Sequence, residues 1–157
     1  MSWDTGNIAF MLVSTSLVML MTPGLAFFYG GLVARKNVLT IMIQSFVSMG
    51  VTTVLWVVCG YSMAFSGSYG NPADPDIGGV IGNFHMAFLH GVTATTPFAA
   101  SPTIPLVVFI AYQMMFAQIT PALITGAFAN RVTFKAYLLF LVAWLLLVYF
   151  PVAHMVW

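Results

Sequence analysis

Four long stretches almost free of charge constrain this chain more than anything else in it. They run from about Ile8 to Ala34, Val38 to Phe65, Thr103 to Ala129 and Val132 to Phe150. Lys135, at the mouth of the fourth, is the one ionised side chain within them. A helix needs about 20 mostly apolar residues to cross a bilayer, and each stretch is long enough. The chain as a whole is 61% hydrophobic and 4% charged over 157 residues. Soluble domains carry about 25% charged residues, so lipid must be the solvent for most of this one. The expected architecture is an all-α integral membrane protein, with residues 1–157 forming one domain of four spans. The first stretch exceeds the roughly 7–15 apolar residues of a cleavable signal and has no basic segment before it, so it reads as a retained span.

Between the second and third spans, residues 66–101 form a loop rich in Gly, Pro, Asn and Ser. Its Asn71-Pro72-Ala73-Asp74-Pro75-Asp76 run would leave backbone groups unpaired in lipid. Ile77–His90 is apolar but too short to span, and is expected to be a short interfacial helix or a cap over the bundle. After the fourth span, Pro151 is expected to open a short tail ending at Trp157. All four basic residues lie after span one (Arg35, Lys36) or after span three (Arg131, Lys135). The acidic residues Asp4, Asp74 and Asp76 lie on the other side. Lys and Arg concentrate in short cytoplasmic loops. The N-terminus, the 66–101 loop and the tail are therefore expected outside a plasma membrane.

The spans offer little chemistry of their own. Proton relays and ion-coupled carriers use ionisable groups inside the membrane, and none is available at depth. His85, His90 and His154 sit at outer ends of spans, with no metal-ligand spacing and no carboxylate near in sequence. They read as interfacial histidines bonded to backbone or water. No enzyme, metal or cofactor is expected. A net charge of +1 gives no reason to invoke nucleic acid, and a lone Cys59 excludes an intramolecular disulfide. Thr22-Pro23-Gly24 and Thr120-Pro121 should bend spans one and three. Gly24, Gly30 and Gly31, with Ala26 and Ala34, should allow close helix contact. Gln44, Ser48 and Thr52 fall on one face of span two, which should turn inward with Gln113 and Gln118 of span three. In a bundle of four helices, Gln44 and Gln113 are expected to be short of partners.

The aromatics give a sharper signal. Tyr112 and Phe116 are four residues apart, so their rings meet on one face of span three. Trp157 stands on the outer side from which span three enters. Aromatic faces attract a cation through their quadrupole, Trp most strongly. Aromatic belts are equally ordinary at membrane interfaces, and both readings stand on the pattern alone.

Longer motifs add a resemblance. Met21-Thr22-Pro23-Gly24-Leu25-Ala26-Phe27-Phe28-Tyr29-Gly30-Gly31-Leu32, followed by Arg35-Lys36-Asn37-Val38, resembles the first-helix signature of Amt/Mep/Rhesus ammonium transporters. Leu55-Trp56-Val57-Val58-Cys59-Gly60-Tyr61-Ser62, Tyr112-Gln113-Met114-Met115-Phe116-Ala117 and Pro151-Val152-Ala153-His154-Met155-Val156-Trp157 resemble later motifs in the same order. The resemblance implies the first four helices of an eleven-helix inverted repeat, assembled as a homotrimer with a pore in each protomer. It implies that Trp157 recruits ammonium in an outer vestibule, with Phe116 as the gate below and Tyr112 one turn above the gate. Leu25, Phe28 and Tyr29 match positions lining or supporting the narrow pore. A cytoplasmic regulator is a further partner that the family admits.

Three departures accompany the match. The paired pore histidines and the aspartate below the vestibule belong to later helices, and His154 is neither histidine. Such a part is expected not to conduct alone. Asn130 stands where the family usually has glutamate, and Tyr112 where phenylalanine is common. The alternative from another class is a short four-helix membrane protein that serves as an interaction or accessory chain without transport of its own.

Overall fold

The computed structural model describes residues 3–67, 76–77, 79–128 and 131–157. Asp74 with the rest of the Asn71–Pro75 turn segment, and Ala129 and Asn130, lie outside the described residues. Four helices are long and apolar enough to cross a membrane. The first is α1, Thr5–Leu32. Its start is fixed by Asp4, whose carboxylate accepts from the backbone N–H of Gly6 at 2.9 Å and of Asn7 at 3.2 Å. After a 3-10 turn at Arg35–Asn37, the second span comprises α2 (Val38–Leu55), a wide π turn (Trp56–Gly60) and α3 (Tyr61–Phe65). The third is α4, Leu106–Phe128. The fourth comprises α5 (Phe134–Trp144), a second π turn (Leu145–Tyr149) and α6 (Phe150–Val156). Thr133 caps α5.

Helices α1, α2 and α4 pack against one another, and α3 packs on α6. The polar stripe faces inward as its spacing predicts: Gln44, Ser48, Thr52, Gln113 and Gln118 are all buried. Ala26 is fully buried, and Gly30 sits at the α1–α2 contact, where a side chain on it would touch Val38 and Met42. Among the described residues, Gly24 and Gly31 have no neighbour within 4 Å of where a side chain would begin. A helix shows its small residues to a neighbour on one stripe only, and these two fall off it. Tighter approaches occur at Gly60, which receives the Phe150 ring, and at Gly126, which receives the Tyr29 ring.

One end of the bundle gathers the start of α1, the end of α3, the start of α4 and the end of α6. The Asp4 N–H donates to Thr103 O at 3.1 Å. An aromatic cluster fills the same half of the bundle: Trp56 lies 5.9 Å from both Tyr61 and Phe150, and Tyr61 stacks on Phe65. The Trp56 indole N–H donates to Ile110 O at 3.2 Å, across to α4. The segment after residue 76 lies over this end as a cap. Among its described residues only Ala87–Leu89 is helical, as a 3-10 turn, so the expected interfacial helix is mostly irregular chain there. It is anchored by Gly82, whose N–H donates to Met63 O at 2.7 Å.

Two boundaries differ from expectation. Ser101–Pro105 forms a strand, β2, paired antiparallel with β1 (Pro97–Phe98), so the third helix begins only at Leu106. Closely spaced prolines cannot enter a helix interior but suit an edge strand. At the other end, the fourth helix does not stop at Phe150. It continues through Pro151 to Val156. The π turn just before it widens the backbone where the proline ring would clash and where its N–H is missing.

Candidate functional site

The residues singled out in the sequence fall into two groups. Tyr112 and Phe116 lie in the first half of α4, toward the end of the bundle where the fourth span finishes. Their rings meet edge to face, with centroids 5.1 Å apart and planes at 75°. Both are half-buried. An edge-to-face pair leaves one ring face uncovered, which is the electron-rich surface a cation prefers. Trp157 caps α6, its N–H donating to Ala153 O at 3.0 Å, and it is 61% exposed. Leu25, Phe28 and Tyr29 lie in the last third of α1, toward the opposite end.

Tyr29 is a fastener between α1 and α4. Its hydroxyl donates to Leu123 O at 3.0 Å and its ring lies against Gly126. Phe28 packs on it at 5.6 Å but is itself 60% exposed, and Leu25 is half-buried. The structure thus brings together Tyr112 with Phe116, and Phe28 with Tyr29, in pairs at different depths. Among the described residues no group of three or more His, Cys, Asp or Glu side chains gathers.

Polar groups near the middle of the bundle are unevenly paired. The Gln118 amide donates to Thr53 Oγ1 at 2.7 Å, and the Tyr137 hydroxyl donates to Gln44 O at 3.3 Å. Among the described residues, the fully buried side-chain atoms without a hydrogen-bond partner are Thr22 Oγ1, Thr52 Oγ1 and Gln118 Oε1.

His154 departs most from its sequence reading. Its bond to backbone is as expected, Nδ1 lying 3.1 Å from Ala64 O. Its other nitrogen, Nε2, lies 3.2 Å from Asp76 Oδ2, so a carboxylate is beside it after all. The reason is tertiary. The chain returns to Gly67 at Asp76, whose backbone is so close that a side chain on Gly67 would meet it at 3.0 Å. Gly67 itself adopts φ +87°, a conformation natural to glycine. Asp76 Oδ1 accepts from the Gly79 N–H at 3.3 Å. His85 and His90 stay exposed on the cap.

The signal for this pair was present but indirect. A histidine inside an apolar helix needs partners, and the only acids on its side of the membrane besides Asp4 are in the 66–101 loop. Gly60 had no comparable signal, because nothing local tells that Phe150 packs on it.

A family model described as the Ammonium Transporter Family matches residues 9–157. The chain is similar to an ammonium transporter of Mycobacterium tuberculosis, at 51% identity over 98% of this chain and 33% of that protein. It is similar to ammonium transporter 1 of Dictyostelium discoideum, at 45% identity over 98% of this chain and 32% of that protein. Among solved structures it is similar to Saccharomyces cerevisiae Mep2, at 30% identity with a TM-score of 0.81, covering 99% of this chain and 32% of that one. The chain spans about a third of the length of the curated relatives it matches.

Proposed function

Because the chain belongs to the ammonium transporter family, we propose that it forms the N-terminal part of a channel-like transporter moving ammonium or ammonia across the plasma membrane. It is a multi-pass membrane protein, and its relatives are named transporters rather than enzymes. The observation that carries the reading is the edge-to-face pair of Tyr112 and Phe116 on α4, at the end of the bundle where Trp157 closes the fourth span. Aromatic faces suit a cation that must then shed water or a proton, because the attraction is moderate and releasable. In this reading Trp157 recruits ammonium, Tyr112 lies next, and Phe116 gates the passage below. Leu25, Phe28 and Tyr29 line or support the narrower part.

The basic split, four to none, supports an orientation with the N-terminus outside. The first helix leaves Phe10, Leu17, Leu20, Phe27 and Leu32 exposed on the bundle, a surface for lipid or for further helices of the same protein. The full-length protein is read as a homotrimer, and a cytoplasmic regulator would meet the loops bearing Arg35, Lys36 and Arg131. Nothing in the similarities favours a four-helix accessory chain.

The test is uptake by the full-length gene product in liposomes, measured against ammonium concentration at fixed pH. A ring–cation contact contributes about 0.5–2 kcal/mol, and 1.4 kcal/mol is tenfold in affinity. Trp157→Leu should therefore raise half-saturation by roughly two- to thirty-fold. Phe116→Ala should change the maximal rate and leak more than half-saturation. An unchanged half-saturation in Trp157→Leu returns this tryptophan to the interfacial aromatic belt.

A further inference from the structure

His154 is 5% exposed, and each of its ring nitrogens is held by a different part of the chain. Ala64 O, at the end of the second span, can only accept, so Nδ1 carries hydrogen and donates. Nε2 and Asp76 Oδ2 lie 3.2 Å apart and are joined by a hydrogen between them. The Asp76 carboxylate is in turn fixed through Oδ1 by Gly79 N–H, and its backbone lies against Gly67. The imidazole is therefore a three-way joint between the fourth span, the second span and the returning loop. It stands one helical turn from Trp157, and the carbonyl immediately before it, that of Ala153, holds the Trp157 N–H at 3.0 Å.

The joint ties the end of α6, which packs on α3, to the returning loop as well. Val152, Met155 and Val156 are exposed, so the last turn of α6 is seated through its buried side chains, Ala153 and His154. We propose that His154 is the positioning residue of the outer aromatic site. Clamped between Ala64 and Asp76, it fixes the last turn of the fourth span and with it the indole of Trp157. The proposal rests on the reading of Trp157 as the residue that recruits ammonium.

The clamp can be dismantled one arm at a time. An asparagine amide reaches about as far as Nδ1 and can keep the Ala64 bond; a glutamine amide reaches about as far as Nε2 and can keep the Asp76 bond. Asp76→Ala removes the loop arm and leaves the Ala64 arm intact. The variants are compared by ammonium uptake of the full-length protein in liposomes, with rate normalised to folded protein.

His154→Ala should raise half-saturation about three- to tenfold, part of the ring–cation contribution, with a smaller change in maximal rate. His154→Asn, His154→Gln and Asp76→Ala should fall between it and the parent. The double variant His154→Ala/Trp157→Leu should be no weaker than Trp157→Leu alone, since both act through one ring. A shift that adds in full to that of Trp157→Leu overturns the proposal. So does a fall in rate or folded yield with half-saturation unchanged. Should His154→Ala not fold, Asp76→Ala and its combination with Trp157→Leu are read by the same criteria. If Trp157→Leu itself leaves half-saturation unchanged, the recruitment reading fails and takes this proposal with it. If Trp157→Leu shifts it and the clamp variants do not, only the positioning role fails.

Discussion

Gly60→Ala tests the packing that joins the two π turns. Gly60 closes the first of them and Phe150 follows the second. A Cβ on Gly60 would lie 2.8 and 2.9 Å from Phe150 Cε1 and Cε2, with Cζ nearer still. Ordinary carbon contacts lie at about 3.5–4.0 Å, so the ring would have to retreat by nearly an ångström. It has no room to do so: Phe150 is fully buried, and Trp56, 1% exposed, stands 5.9 Å from its centroid. Overpacking of this kind costs about 1–3 kcal/mol. The better helix propensity of alanine offsets at most about 1 kcal/mol. A net loss of about 1–2 kcal/mol is expected, which for a chain of this size is roughly 2–8 °C in the thermal midpoint. The assay is thermal unfolding in detergent of the parent, Gly60→Ala, Phe150→Leu and the double variant. Phe150→Leu alone should destabilise by leaving a cavity, and the double variant should be more stable than the sum of the two by about 0.5 kcal/mol or more. Strict additivity, or a neutral Gly60→Ala, refutes the reasoning, because then the ring is not what excludes a side chain at this position.

Topology is read by impermeant thiol labelling in a Cys59→Ala background: Ala94→Cys on the cap should react from outside, and Lys36→Cys only after permeabilisation. The opposite pattern would reverse the orientation and place Trp157 inside. Thr52→Val keeps shape while removing a buried hydroxyl without a partner, so it should be neutral or raise stability by up to about 1–3 kcal/mol in the same unfolding assay. Thr53→Val should lower stability by about 0.6–1.7 kcal/mol, the range of interhelical hydrogen bonds in membranes, because it strips the partner of Gln118; a stabilising Thr53→Val would contradict the assigned pair.

The four spans were legible because lipid leaves few solutions. An apolar run must be a helix, since its backbone has no water to bond. The inward face of span two was legible for the same reason: Gln44, Ser48 and Thr52 have no favourable place outside. Long-range partners were another matter. Gly60 and Gly126 look like any small residue in a membrane helix, and only the fold tells that Phe150 and Tyr29 fill the space above them. The hairpin at Pro97–Pro105 was hidden because proline marks a helix boundary without saying what lies beyond it. Pro151 misled in the opposite direction: the rule that proline ends a helix assumes an α-helical turn before it, and here the preceding turn is π. Of the candidate site, the Tyr112–Phe116 contact followed from i, i+4 spacing alone. The partners of His154 could not, because Ala64 and Asp76 are brought to it by separate elements.

The two ends of the bundle are held by different physics, and the candidate site draws on both. Toward the Arg35–Asn37 side, α1 is pinned to α4 by the Tyr29 hydroxyl on Leu123 O and its ring on Gly126, and to α2 by Gly30 against Val38 and Met42. These are close steric contacts and a single hydrogen bond between helices, in a region where apolar burial gives no preference for a neighbouring helix over lipid. At the other end, near headgroups and water, the joints are polar: Asp4 N–H to Thr103 O, Gly82 N–H to Met63 O, and His154 between Ala64 and Asp76. Hydrogen bonds there compete with water and are individually modest, but several together fix where the helix ends stand. A site that captures a hydrated cation must lie at that wet end, while the part that strips its water must lie deeper. In the proposed function Trp157, 61% exposed, would serve at the wet end and the half-buried edge-to-face pair of Tyr112 and Phe116 deeper in. On that proposal, a cation moving deeper along these rings would have less water to screen it, and each ring contact would strengthen.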